Sequence, residues 1–269
     1  MRTDPGAVFR ALHVKGDPFI LANAWDAGSA KMLAGLGAKA IATSSSAHAF
    51  TLGRPDGGTV TRDEALAHAQ DLIAAVDVPV SGDFENGFGA APEAVAETVR
   101  MAAEIGLAGI SIEDTALPAD APYPFDLAVE RIQAAMAAAK ALSRDFVLCA
   151  RADGILTRQY DIEEAMRRLE AFQAAGADCL YAPLPRSMED LARICQLQAP
   201  VNALAVGRFA RVSRAELAAI GVARISLGSA LARVTHRVIL EAGEAMFGAG
   251  DFTALAGGAP GDRIDAFLG

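Results

Sequence analysis

Short apolar runs alternate with Ala-rich amphipathic segments along the whole chain. Runs of this kind, with almost no polar interruption, are typical of strands that are buried on both faces of a parallel sheet. Eight of them occur, at residues 19–24, 38–43, 78–83, 109–113, 146–150, 179–182, 201–205 and 224–227. Helical segments are predicted between and after them, at 28–36, 62–75, 92–105, 126–142, 161–175, 187–197, 213–220 and 229–247.

Eight strand–helix units predict an α/β fold of the (β/α)8 TIM-barrel type, because eight is the number of parallel strands that closes a barrel with helices outside. A doubly wound open sheet is the alternative, but no Gly-x-Gly-x-x-Gly pattern follows the first strand. No linker or repeat divides the chain, so residues 1–269 are predicted to form a single domain. The tail at 251–269 is interpreted either as a loop before a last short helix or as a segment exchanged with a neighbouring subunit.

Composition narrows the class of protein. With 269 residues, 52% of them hydrophobic, the chain is able to bury a substantial core. A formal net charge of −9 argues against a nucleic-acid partner. The chain has no signal-peptide pattern and no apolar run of about 18 residues, so we expect no membrane partner. The three cysteines lack CxxC spacing and favour inert thiols in a cytoplasmic, reducing compartment.

Polar residues are concentrated where the predicted strands end, which is where (β/α)8 barrels carry their chemistry. Asp83 and Glu85 follow the third strand and, two residues apart, share one side of it. Converging carboxylates are costly without a cation, and oxygen ligands suit Mg²⁺ or Mn²⁺. Each position also has a structural interpretation, such as a turn, a helix cap or a local ion pair. The other strand-end residues are Thr43, Ser44, Ser45, Ser46, His48, Asp56, Glu113, Asp114, Arg151, Asp153, Tyr181 and Asn202.

Four short segments near these strand ends form, in this order along the chain, a recognisable set of motifs. They are 52–56 (Leu-Gly-Arg-Pro-Asp), 83–89 (Asp-Phe-Glu-Asn-Gly-Phe-Gly), 112–114 (Ile-Glu-Asp) and 150–153 (Ala-Arg-Ala-Asp). The combination resembles the isocitrate lyase / phosphoenolpyruvate mutase superfamily over about residues 19–247. The usual motif of that family after the third strand is Asp-x-Asp-x-Gly-x-Gly, so Glu85 is a departure by one methylene group.

The resemblance implies a Mg²⁺-dependent lyase that cleaves a carbon–carbon bond of a small 2-oxo or 2-hydroxy dicarboxylic acid through an enolate. It implies that Asp83 binds the ion directly, that Glu85 and Glu113 hold its waters, and that Asp56 lies at the edge of this cluster. Arg151 would bind a carboxylate or the developing enolate oxygen. The remaining implied substrate-binding residues are Thr43, Ser44, Ser45, Ser46 and Asn202.

The segment at 115–125 departs from the family pattern. Lyases of the family carry a Lys-Lys-Cys-Gly-His type of stretch there, whereas this segment contains neither Lys nor Cys and contains several prolines. The difference argues against an isocitrate or methylisocitrate lyase and predicts a stiff loop. Without the cysteine, the candidate proton donors are Tyr181, His48, His236 or a bound water. His13 and His68 are interpreted as surface residues.

Two other functions stay open. Carbon–phosphorus chemistry, as in a phosphonomutase or phosphonopyruvate hydrolase, is disfavoured by the missing loop lysine. A barrel that binds a carboxylate without turnover is disfavoured by the complete acidic cluster. The loop residues Arg54 and Arg158 are candidates for additional anion binding. The resemblance also implies a homotetramer, arranged as a dimer of dimers.

Overall fold

Eight parallel strands close into a barrel in the computed structural model, which describes residues 4–269. The strands follow one another around the barrel in chain order, and the last pairs with the first. This confirms the predicted (β/α)8 fold. The barrel strands are β1 (Phe19–Asn23), β2 (Ala40–Ala42), β3 (Val80–Asp83), β4 (Gly109–Glu113), β7 (Val147–Arg151), β8 (Cys179–Tyr181), β9 (Val201–Leu204) and β10 (Arg224–Ser226), while β5 (Thr115–Ala116) and β6 (Ala121–Pro122) form a separate antiparallel hairpin.

All eight predicted helices are present, and three short ones are added. Thr61 begins α4 with a capping box, in which its hydroxyl accepts from the Glu64 amide and the Glu64 carboxylate accepts from the Thr61 amide. The helices are α1 (Pro5–Ala11), α2 (Ala27–Gly35), α3 (Ser45–Thr51), α4 (Arg62–Ala75), α5 (Pro92–Glu104), α6 (Phe125–Lys140), α7 (Ile162–Ala174), α8 (Met188–Ile194), α9 (Arg214–Ala219), α10 (Ala230–Ala249) and α11 (Gly261–Leu268).

The main core lies between the barrel strands and the surrounding helices. Ile110 of β4, Leu148 of β7 and Leu169 of α7 are completely buried there, and burying such a side chain contributes about 1.5–3 kcal/mol. Gly109 allows β4 and β7 to approach closely, because a Cβ at this position would lie 2.2 Å from the carbonyl oxygen of Val147. This packing fixes the strand ends from which the polar residues project.

Two peripheral segments complete the fold. The tail ends in α11, which lies against α2, where Lys31 Nζ donates to the carbonyl oxygen of Leu268 at 2.8 Å. The outer side of α10 carries exposed apolar side chains, among them Val238, Ile239 and Phe247. In the part of the chain from residue 4 onward, no helix is both long and apolar enough to cross a membrane.

Candidate active site

A cavity of about 310 Å³ opens at the carboxyl ends of the barrel strands. Its size is at the lower end of the range for small-molecule sites. Apolar residues such as Leu156, Leu184 and Leu204 form part of its wall. The polar residues that line it are Asn23, Thr43, Ser44, Ser45, Ser46, Asp56, Ser81, Asp83, Ser111, Arg151, Tyr181, Arg224, Ser226, Ser229 and Arg233.

Arg151, which lines this cavity, contacts three carboxylates, of which Asp83 also lines it. Its Nη1 contacts Asp83 Oδ1 at 2.7 Å, and its Nη2 contacts Glu113 Oε2 at 3.0 Å and Asp153 Oδ2 at 2.5 Å. Burial lowers the pKa of Arg151, but these carboxylates outweigh burial and hold that pKa well above its usual value. The guanidinium group is therefore a fixed cation. The local ion pair between Arg151 and Asp153, one of the structural interpretations considered above, is present, and Arg151 contacts Asp83 as well.

The cluster contains more negative charge than Arg151 neutralises. Glu85 is 4% exposed and accepts a hydrogen bond from the Gly58 amide at 3.1 Å. Burial, together with Asp83 and Asp56, raises the pKa of Glu85 to about 7. Burial also raises the pKa of Glu113 well above its usual range, against the attraction of Arg151. Such raised values indicate a site in which additional positive charge would be favourable.

The donor set fits hydrated Mg²⁺. Within residues 4–269, no three His, Cys, Asp or Glu side chains converge closely enough to hold an ion together. Mg²⁺, however, usually keeps several waters and uses only one or two protein carboxylates. Asp83 lines the cavity and suits a direct ligand, whereas Glu85 and Glu113 are buried and lie near Asp83 and each other. All three supply oxygen ligands, and Arg151, which contacts Asp83 and Glu113, is the cation that pairs with this cluster.

The serine segment after β2 is fixed by Asp83. Ser45 donates to Asp83 Oδ2 from both its amide and its hydroxyl, each at 3.0 Å, and Thr43 Oγ1 accepts from the Asp83 amide at 2.8 Å. The Ser44 hydroxyl accepts from the Ala47 amide and so begins α3. The predicted substrate-binding residues Thr43, Ser44, Ser45 and Ser46 therefore do lie together in the cavity wall.

Three predicted residues lie elsewhere. His48 belongs to α3 rather than a loop, and it is stacked on His68 at 3.9 Å instead of lining the cavity. Burial and His68 lower the pKa of His48 to about 4, so its imidazole is neutral near pH 7. The surface assignment of His68 is wrong, since it is 8% exposed. Asn202 is fully buried, outside the cavity lining, and donates to Ser226 Oγ at 2.8 Å. His236 lies on α10, with its ring 5.4 Å from that of Phe50.

Two arginines of the cavity were missed by sequence reasoning. Arg224 is buried and donates to Asn202 and to Cys149 Sγ at 2.8 Å each. Arg233 is exposed on the first turn of α10 and, among the described residues, has no carboxylate partner. Arg233 follows Ser229 by four residues, and this spacing places both on one face of the helix. That spacing is the feature of the sequence from which Arg233 could have been assigned to the cavity.

Asp114 supports the site from behind. It does not cap a helix, one of the interpretations considered above, but accepts hydrogen bonds from the Asp153 amide (2.8 Å), the Tyr160 hydroxyl (2.7 Å) and Arg168 Nη1 (3.0 Å). Arg168 also donates to the carbonyl oxygen of Tyr123 at 3.0 Å. The same network therefore fixes two segments in place, namely the residue that follows the β5–β6 hairpin, Tyr123, and the turn that carries Asp153.

Comparisons with known proteins show which proteins this chain resembles in sequence and fold. The family model for phosphoenolpyruvate phosphomutase matches residues 9–247. The 2,3-dimethylmalate lyase of Eubacterium barkeri is 32% identical over 207 residues, which cover 74% of this chain and 71% of that enzyme. The oxaloacetate decarboxylase of Chromohalobacter salexigens is 31% identical over 230 residues, covering 82% and 78%. A crystal structure from Burkholderia cenocepacia J2315, provisionally described as a lyase/mutase, has a TM-score of 0.94 at 44% identity and covers 99% of this chain and 96% of that one.

Proposed function

Because the chain belongs to the phosphoenolpyruvate phosphomutase family, in the isocitrate lyase superfamily, we propose that it is a Mg²⁺-dependent carbon–carbon lyase or decarboxylase. Its substrate in this proposal is a small 2-oxo or 2-hydroxy dicarboxylic acid. The observation that carries the proposal is the buried acidic cluster around Arg151, of which Arg151 and Asp83 line a cavity of about 310 Å³. Two relatives are named for reactions of dimethylmalate and oxaloacetate, which are dicarboxylic acids.

In the proposed enzyme, Asp83 would hold Mg²⁺ or Mn²⁺ directly, and Glu85 and Glu113 would hold its waters. When bound, the ion supplies positive charge beside the oxygen on which negative charge develops as the carbon–carbon bond breaks. Asp83 is already oriented for this role by the amide and hydroxyl of Ser45.

Arg151 would orient one end of the substrate. A guanidinium group has five N–H donors, of which three donate to Asp83 and Asp153, and Nη2 also forms an ion pair with Glu113 at 3.0 Å. One Nη1 proton is left for a substrate carboxylate or enolate oxygen. Because the three carboxylates hold Arg151 in place, the substrate would lose little binding energy to ordering this side chain.

The second carboxylate of the substrate would bind Arg233. This cation lies on the cavity wall without a carboxylate partner among residues 4–269, in a protein whose net charge is −9. Tyr181 would donate the proton to the carbanion carbon after cleavage, since burial raises the pKa of its hydroxyl and keeps it protonated. The Tyr181 ring lies 5.3 Å from the Arg151 guanidinium carbon, within the same cavity.

The test is turnover of purified protein with oxaloacetate, other 2-oxo and 2-hydroxy dicarboxylates, and phosphonopyruvate. Pyruvate, CO₂ and phosphate are followed with Mg²⁺, with Mn²⁺ and with EDTA. We expect EDTA-sensitive release of CO₂ or a keto acid that is lost in Asp83→Ala and Arg151→Ala. Arg233→Ala is expected to raise KM about tenfold, the effect of losing one charge-assisted hydrogen bond. Arg237→Ala, one turn along α10, is the matched control because Arg237 pairs with Glu241.

Other outcomes would favour the alternatives. Phosphate release from phosphonopyruvate alone would favour carbon–phosphorus chemistry. Mg²⁺ binding without turnover of any compound would favour a non-catalytic carboxylate-binding barrel. Failure to bind Mg²⁺ or Mn²⁺ would overturn the proposed mechanism.

We also propose that the chain assembles as a homotetramer through α10. Val234, Val238, Ile239, Leu240 and Phe247 of α10 are exposed on the single chain. Large apolar side chains exposed in this number on one helix mark an interaction site.

A further inference from the structure

A second cavity, of about 320 Å³, is lined by three arginines and lies next to the catalytic cavity. The two cavities share Leu184 as a wall. We call the second one the arginine cavity, defined by its lining residues Ile155, Arg158, Gln159, Tyr160, Leu184, Arg186 and Arg208. No carboxylate is among them, although the protein as a whole is strongly acidic.

The three arginines converge from three different loops. Arg158 follows β7, Arg186 follows β8, and Arg208 lies in a 3₁₀ turn at Gly207–Arg211 after β9. Over the described part of the chain, none of the three forms an ion pair with a carboxylate, whereas Arg193 and Arg167 of the neighbouring helices pair with Glu163 and Glu164. The cavity therefore brings together three arginines that have no carboxylate partner among the described residues.

Arg208 is held in place without losing its charge. Its Nη1 donates to the carbonyl oxygens of Pro185, at 3.2 Å, and of Arg186. Both acceptors are neutral, so they position the guanidinium group but do not neutralise it. Three converging cations repel one another, and a bound anion would relieve that repulsion.

We propose that the arginine cavity binds a multiply charged oxyanion of the phosphate class, either free or as the phosphate group of a small metabolite. Planar guanidinium groups pair with phosphate oxygens through two parallel hydrogen bonds, which a single carboxylate cannot supply to three arginines at once. The cavity volume of about 320 Å³ accommodates a small molecule.

The occupant would be separate from the substrate of the catalytic cavity, because the three arginines do not line that cavity. The two are nevertheless in physical contact through Tyr160. Its ring lines the arginine cavity, and its hydroxyl donates to Asp114 Oδ2 at 2.7 Å. Asp114 Oδ1 in turn accepts from the amide of Asp153, whose carboxylate holds Arg151. An anion bound here therefore lies beside a hydrogen-bonded chain that ends at Arg151.

The test is calorimetric titration of the full chain with inorganic phosphate and with pyrophosphate at constant ionic strength. One saturable site per chain is expected. Arg208→Ala and Arg186→Ala should each weaken pyrophosphate binding about tenfold, the factor for loss of one charge-assisted hydrogen bond. Arg211→Ala is the matched control, because Arg211 belongs to the same 3₁₀ turn, carries the same charge and does not line the cavity. Thermal melting of each variant verifies that it is folded.

Three results would overturn the proposal. The first is the absence of saturable pyrophosphate binding. The second is equal weakening by Arg211→Ala, which would show a diffuse electrostatic effect. The third is binding that Arg233→Ala abolishes and Arg208→Ala leaves unchanged, which would place the anion in the catalytic cavity. The titration needs no turnover, so its outcome is independent of whether the proposed lyase activity is found.

Discussion

Replacing Asp114 with Asn is expected to destabilise the fold strongly, although the two side chains have nearly the same shape. Asp114 is 3% exposed, and its two carboxylate oxygens accept from three donors: the Asp153 amide, the Tyr160 hydroxyl and Arg168 Nη1. An Asn side chain keeps one acceptor oxygen and replaces the other with an NH₂ group. The NH₂ group would then face at least one of these three N–H or O–H donors, with no acceptor between them. Arg168 would also lose its buried counter-charge.

The structure limits the size of this effect. Removing one partner of a buried ion pair costs about 3–5 kcal/mol. Arg168 is 5% exposed but also contacts the Glu164 carboxylate at 2.7 Å, which would remain to neutralise part of its charge. The lower end, about 3 kcal/mol, is therefore expected. Since 1 kcal/mol shifts Tm by about 2–4 °C in a chain of this size, the melting temperature should fall by about 6–12 °C.

Thermal and urea unfolding of a double-mutant cycle measures this interaction. Arg168→Met removes the cation while keeping most of the volume, so Asp114→Asn combined with Arg168→Met should lose much less than the sum of the single variants. Arg167→Met is the matched control, since Arg167 also contacts Glu164 but is exposed, and it should leave Tm almost unchanged. A loss below about 1 kcal/mol for Asp114→Asn, or strict additivity in the cycle, would refute the reasoning.

Three further predictions concern other parts of the molecule. Burial lowers the pKa of His13 from 6.5 to about 3, so its neutral form contributes stability that is complete above pH 6.5 and is lost as the pH falls toward 3. His13→Phe should therefore flatten the acid limb of the urea midpoint against pH, and identical limbs would contradict this. Gly109→Ala places a Cβ 2.2 Å from the Val147 carbonyl oxygen. It should cost about 1–3 kcal/mol or more in urea unfolding, whereas the control Gly257→Ala, where a Cβ meets nothing within 4 Å, should not. Ile239→Glu, on the exposed face of α10, should reduce the mass measured by light scattering if α10 forms the tetramer interface, and an unchanged oligomeric mass would exclude that interface.

Much of the fold could be predicted because parallel strands buried on both faces appear in the sequence as apolar runs. The predicted bounds of β4 (Gly109–Glu113) and α4 (Arg62–Ala75) agree with the structure, the latter because a capping box and the end of the apolar pattern mark its limits. The helix α3 (Ser45–Thr51) was missed because seven residues contain fewer than two turns, too few to show a period of 3.6. For that reason His48 was assigned only to the end of the second strand, and its position on a helix was not predicted.

Strand-end residues of the site could be predicted because the barrel topology alone brings them to one face. Contacts between loops could not, since they depend on backbone conformations that no local pattern specifies. Arg158, Arg186 and Arg208 are separated by more than twenty residues each and lie in irregular segments, so nothing in the sequence relates them. Asn202 was misplaced for a related reason. It lies in register with Tyr181 and Arg224, which do line the cavity, but its amide group is hydrogen-bonded to Ser226 and Arg224 and is fully buried, which no local pattern shows.

The charges of the two cavities argue for two different ligands. Around Arg151 the carboxylates are in excess, and burial, with Asp83 and Asp56 adding to it, raises the pKa of Glu85 to about 7. In the arginine cavity, on the other side of Leu184, the excess charge is positive, because three arginines and no carboxylate line it. Elsewhere in the fold, buried groups of opposite charge are paired, as Arg168 and Asp114 are. The carboxylates around Arg151 and the three arginines beyond Leu184 are not paired with each other. The acidic cluster beside the first cavity and the arginines around the second, which lack carboxylate partners within residues 4–269, instead favour a cation with a dicarboxylate in the first and an oxyanion in the second.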